Sequence, residues 1–165
     1  MDYKDIAIIV LLIVISFLSC IVCYFFKRSK AERICSEKYK EVVDKDELII
    51  LTLLQWVQIE HEKKKIETIL YEMRCKNVAI YGYGHLGRLL AKNLQGTELN
   101  LACIIDKNKN LPCEEFKLYS PYDELPQVEA IIVTSVYFFD EIKAELRDLL
   151  PDVEILSLYD ILYQL

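Results

Sequence analysis

The chain has 165 residues, a formal net charge of -6 and a hydrophobic fraction of 53%, enough for one domain plus an appendage. The acids are scattered and no basic stripe with interleaved aromatics is present, which argues against nucleic acid as a partner. Of the six cysteines (20, 23, 35, 75, 103 and 113) only Cys20 and Cys23 stand at C-x-x-C spacing, and both lie in an apolar run; the two histidines, His61 and His85, stand too far from them and from each other to complete a zinc site, so no metal site is expected.

The excess of apolar residues has an address. Ile6 to Phe26 reads IAIIVLLIVISFLSCIVCYFF without a charge, about the length that a helix needs to cross a bilayer. A cleaved signal peptide is the competing reading, but the opening MDYKD carries two acids against one lysine, and the apolar run continues past Cys20. Lys27, Arg28, Lys30 and Arg33 crowd the C-terminal flank against a lone Lys4 on the other side. The positive-inside rule then predicts a single-pass anchor in the cell membrane with the body of the protein in the cytoplasm.

Three regions are expected: an anchor with its basic flank (1–30), a helical stalk with an apolar helix (31–75) and an α/β domain (76–165). In the second region, Asp46 is a candidate cap for a helix whose middle is apolar on nearly every side, Leu48 to Ile59. At about 12 residues that patch is too short to span a bilayer and too apolar to stand alone in water. It is expected to bury itself against the following domain, against a second copy in a homodimer through residues 47–59, or on the bilayer surface. HEKKK (61–65) reads as a helix end or solvated turn, and Ile66–Met73 as a short helix.

From Asn77 the elements alternate. NVAIY (77–81) reads as a buried parallel strand, and HLGRLLAKNLQ (85–95) as a helix stopped by Gly96. LNLACIID (99–106) is a second strand, EFKLYS (115–120) a weaker third, and VEAIIVTS (128–135) a fourth. A helix over 137–150 ends at Pro151, and VEILSL (153–158) and YDILYQL close the chain as strand and helix. Right-handed crossovers reduce this order to few topologies, and the fold expected is α/β, a small doubly wound parallel sheet of order 3-2-1-4-5.

Between the first strand and its helix stands YGYGHLGR, in which Gly82, Gly84 and Gly87 follow the spacing G-x-G-x-x-G. The strand–turn–helix context is the one a dinucleotide fingerprint requires. Gly82 would allow the tight turn, Gly84 the approach of a phosphate, and Gly87 close helix–strand packing. The helix N-terminus offers unpaired N–H groups to an anion. Asp106 ends the second strand, where an acid accepts from ribose hydroxyls and repels a 2′-phosphate, favouring NAD(H) over NADP(H). The candidate nucleotide-binding set is therefore Gly82, Tyr83, Gly84, His85, Leu86, Gly87, Asp106 and Thr134. The other reading is a turn whose glycines serve packing alone, with Thr134 and Ser135 capping the next helix. No Tyr-x-x-x-Lys pair, serine elbow or Ser/His/Asp set is visible, and residues 76–165 are few for a complete redox enzyme. No catalytic residue is assigned, and an epimerase or dehydratase acting with NAD is the enzymatic alternative.

From Leu53 to Leu165 the chain resembles small Rossmann-like modules of bacterial capsule and exopolysaccharide systems, found alone or fused to glycosyltransferases and related enzymes. The residues that carry the likeness are LLQWV, KNVAIYGYGHLGRLLAKNL, IIDKN, YSPYDELPQVEAIIVT and ILSLYDI. The resemblance implies a cleft for NAD(H) or a nucleotide-diphosphate sugar, with Gly82, Gly84, Gly87 and Asp106 at the turn and acid positions. It also implies a glycosyltransferase or polysaccharide-assembly partner. The catalytic domain of related sugar acyltransferases is not matched, and a membrane anchor is not the usual arrangement. GYGHLGRLLAKNL and IID also resemble regulatory nucleotide-binding domains of potassium channels and transporters, although YSPYD stands here where those carry Gly-Asp. A ligand-free dimerisation or scaffold module is the third alternative.

Overall fold

The apolar runs of the C-terminal half alternate side chains between two faces, and two separate cores result. In the computed structural model, which describes residues 3–113 and 115–164 with side chains from Ser16 onward, the strands are β1 (Asn77–Tyr81), β2 (Asn100–Ile105), β3 (Leu118–Tyr119), β4 (Ala130–Val133) and β5 (Glu154–Ser157). All pairings are parallel, in the order β3-β2-β1-β4-β5, the order expected from the sequence. Helices are α1 (Tyr3–His61), α2 (Ile66–Glu72), α3 (His85–Leu94), α4 (Phe139–Leu149), preceded by a 3-10 turn at Val136–Phe138, and α5 (Leu158–Gln164).

Val78, Ile80, Ile104 and Ile132 point to one face, where the end of α1 with α2, α3 and α5 covers them. Ala79, Tyr81, Cys103, Ile105, Ile131 and Val133 point to the other, against Ile142 and Leu146 of α4. Each aliphatic side chain buried this way contributes about 1.5–3 kcal/mol. Burial raises the Cys103 thiol to about 11, so this cysteine packs as a small apolar residue. At the opposite edge from the turn, the Glu129 carboxylate accepts the N–H groups of Lys76 and Asn77, and these bonds hold it below the usual carboxylate range.

The chain divides into two compact units, residues 1–45 and 46–165. Asp46 caps nothing, contrary to expectation: α1 continues through it without a break, because no glycine or proline interrupts residues 27–61. In the first unit Arg28 and Glu32 form an exposed i,i+4 pair at 3.0 Å, and Phe17, Val22, Phe25 and Phe26 are exposed. Among the described residues no helix is long and apolar enough to cross a membrane. Residues 6–15 of the apolar run expected to do so lie outside those whose side chains are described.

In the second unit, one face of α1 takes the first of its three expected fates. Thr52, Trp56 and Ile59 are buried, and Leu48, Ile49 and Leu53 pack against the same core. The Gln55 side-chain amide donates to the carbonyl of Leu162 at 3.2 Å, tying α1 to α5.

Candidate functional site

The register brings the carboxyl ends of three strands level: Tyr81 pairs with Ile105 on one side and Val133 on the other. The glycine turn, Asp106 and Thr134 therefore meet at one edge of the sheet, the edge where open α/β sheets bind ligands.

The three glycines have different physical roles. Gly82 has φ +95°, a conformation that L side chains rarely adopt, and a Cβ there would lie 2.9 Å from Thr134 Oγ1. Its N–H donates to the carbonyl of Ile105 at 2.8 Å. A Cβ on Gly87 would sit 1.9 Å from the Gly82 carbonyl oxygen, so only hydrogen lets the first turn of α3 rest on the end of β1. Gly84 is unlike both. It occupies the N-cap position of α3 at φ -77° with no side-chain cap, and a Cβ on it would meet nothing within 4 Å. The first N–H groups of any helix have no intrahelical acceptor, and no side chain caps those of α3.

Asp106 joins two turns. Its Oδ2 accepts the N–H of Tyr83 and its Oδ1 the N–H of Asn108, each at 2.8 Å. Each oxygen keeps a further lone pair for a ligand hydroxyl. Thr134 is buried; its hydroxyl lies 2.8 Å from the Gly82 carbonyl and 3.1 Å from that of Tyr81, so its single proton serves the turn itself. His85 is exposed, whereas Leu86 and Tyr83 are buried. The neighbouring Cys113 thiol, and then burial, raise the pKa of the Tyr83 hydroxyl. Arg88 is exposed but lies over the turn: its guanidinium is 5.1 Å from the Tyr83 ring centroid and its Nε donates to the Tyr83 carbonyl at 3.3 Å. One flank of the turn is thus filled by the protein's own side chains.

The other flank is open. Between the turn and α4 lies a cleft of about 360 Å³ bordered by Gly82, Asp106, Ser135, Phe138 and Glu141. Over it, Glu145 accepts from Lys107 Nζ at 2.8 Å and from the Tyr122 hydroxyl, and both bonds hold its carboxyl below the usual range. Below it stands Tyr81, 4% exposed. Sequence reasoning named Gly82 and Asp106 here but missed Tyr81, Lys107, Glu141 and Glu145. The one local signal was a tyrosine ending an otherwise aliphatic strand, a residue whose hydroxyl needs a partner once buried. Larger polar grooves occur away from the turn, one of about 560 Å³ between α2 and the end of α3. Among the described residues no cluster of His, Cys, Asp and Glu is arranged to hold a metal ion.

The chain matches no protein-family model, no curated protein and no solved structure.

Proposed function

We propose that the turn binds the diphosphate of a nucleotide, either NAD(H) or a nucleotide-diphosphate sugar, and that the chain is a membrane-tethered accessory module of bacterial cell-surface polysaccharide biosynthesis. The observation that carries the ligand reading is Gly84. Packing accounts for Gly82 and Gly87, but nothing in the protein crowds residue 84, and a backbone free of Cβ beside unpaired helix N–H groups suits an approaching phosphate. Asp106, with lone pairs to spare beside the cleft, suits ribose hydroxyls. The apolar run 6–26 and its basic flank support attachment to the inner leaflet, which would raise the effective concentration of the module near membrane-bound glycosyltransferases. A regulatory role in a transport system would use the same site; its neighbouring genes would encode an ion pore in place of glycosyltransferases.

The test is thermal unfolding of the detergent-solubilised full chain with NAD(H), ADP and a panel of nucleotide-diphosphate sugars. A ligand at about 100 times its Kd adds about 2.7 kcal/mol to stability, which raises Tm by several degrees. The absence of any shift across the panel at millimolar ligand would count against the reading.

A second reading, compatible with the first, is self-association through α1. Opposite its buried face, α1 leaves Ile50, Leu51, Leu54 and Val57 exposed. Positions 50, 54 and 57 follow the four-three spacing of a seam between two helices, which favours a second copy of the same helix as occupant.

A further inference from the structure

The Tyr81 hydroxyl is buried and has no hydrogen-bond partner. Native interiors seldom leave such a group unmade, because the polar atom keeps its desolvation penalty, and phenylalanine would fill the same space without it. The ring packs in the cluster that contains Ile105, Val133 and Ile142, beneath the cleft beside the turn. Burial raises the pKa of this hydroxyl and so keeps its proton on, and the fields of Lys107, Glu145, Asp106 and Tyr122 all act on it. The groups at the cleft are unbalanced in charge: Asp106, Glu141 and Glu145 against Lys107, which is itself paired with Glu145. Such a lining repels phosphates and offers acceptors to a ligand's N–H and O–H groups. Phe138 and Ile142 add apolar walls suited to a flat ring.

We propose that this cleft reads an uncharged, amino-bearing nucleobase through the Tyr81 hydroxyl, with the carboxylates accepting from the ring's amino group. An aminated ring such as adenine or cytosine sets an acceptor nitrogen next to an amino donor, matching a hydroxyl that donates beside a carboxylate that accepts. Uracil turns carbonyl oxygens toward the same carboxylates and is rejected. The base reaches Tyr81 by displacing the Lys107 side chain, which is 62% exposed and held by a pair of the weak, solvated kind. The inference rests on the turn reading for the phosphates of the same ligand.

The experiment is isothermal titration of the detergent-solubilised full chain with ADP, UDP, adenosine and inorganic pyrophosphate, repeated on Tyr81→Phe. The expected result is ADP binding at least tenfold tighter than UDP. Tyr81→Phe is expected to narrow that ratio at least threefold, the carboxylates keeping the remainder, and to leave pyrophosphate unchanged. Equal affinities for ADP and UDP in the unaltered protein, or a ratio that Tyr81→Phe does not move, would overturn the base-reading role while leaving the turn intact. Adenosine binding that depends on Tyr81, with no binding of pyrophosphate, would sink the turn reading alone. No binding of any probe sinks both. If Tyr81→Phe does not fold, Glu141→Gln at the exposed cleft wall takes its place, with the same expected narrowing of the ratio.

Discussion

At the scale of single residues, three glycines at fingerprint spacing turn out to answer to two different demands. The Cβ of Gly87→Ala would lie 1.9 Å from a backbone oxygen, which no rotamer change relieves. A loss of about 3 kcal/mol is expected, measured by denaturant unfolding. Gly84→Asp meets nothing and places a favoured N-cap residue on α3; its stability is expected to be unchanged or slightly raised, while its carboxylate repels a diphosphate. Equal destabilisation by the two variants would mean that residue 84 is also held by packing, and the argument for a ligand there would fall. The spacing made the turn legible in the sequence but not this division of labour, which depends on how closely α3 lies on β1. The cleft was legible only at Gly82 and Asp106. Tyr81, Lys107 and Glu145 are far apart in the chain, and Glu145 reads on its own as one more acid on an amphipathic helix.

At the scale of elements, α1 shows how a composition argument finds a conflict without resolving it. Apolar residues on every side of 48–59 demanded cover, and the domain supplies it to one side only. Trp56, 3% exposed, anchors that side, and Trp56→Ala is expected to cost about 3–5 kcal/mol by denaturant unfolding. The opposite stripe does no such work in one copy. Leu54→Glu with Val57→Glu is expected to leave the melting temperature unchanged and to reduce the sedimenting species of the solubilised full chain to a monomer. Unchanged sedimentation would remove self-association through α1, and a large fall in melting temperature would show that the stripe is part of the core. Leu53 is the wrong residue for this purpose, because it packs inward, a distinction that the sequence alone did not draw.

At the scale of the whole molecule, the order of the five strands was legible because alternating strands and helices with right-handed crossovers leave little choice. The glycine turn marked which strand is central. Strand lengths were less legible: the third was expected over 115–120 and pairs only at Leu118–Tyr119, since an edge strand has one neighbour to extend it. What topology supplies to function is the level sheet edge at which the turn, Asp106 and the α4 cleft converge. The most direct measurement is an amide NMR titration of the full chain in nanodiscs with ADP. The account predicts shifts concentrated at the amides of Gly84 to Gly87 and around Asp106, absent from Gly84→Asp. Amides 84–87 that stay unmoved at millimolar ADP, NAD(H) and nucleotide-diphosphate sugar would contradict it.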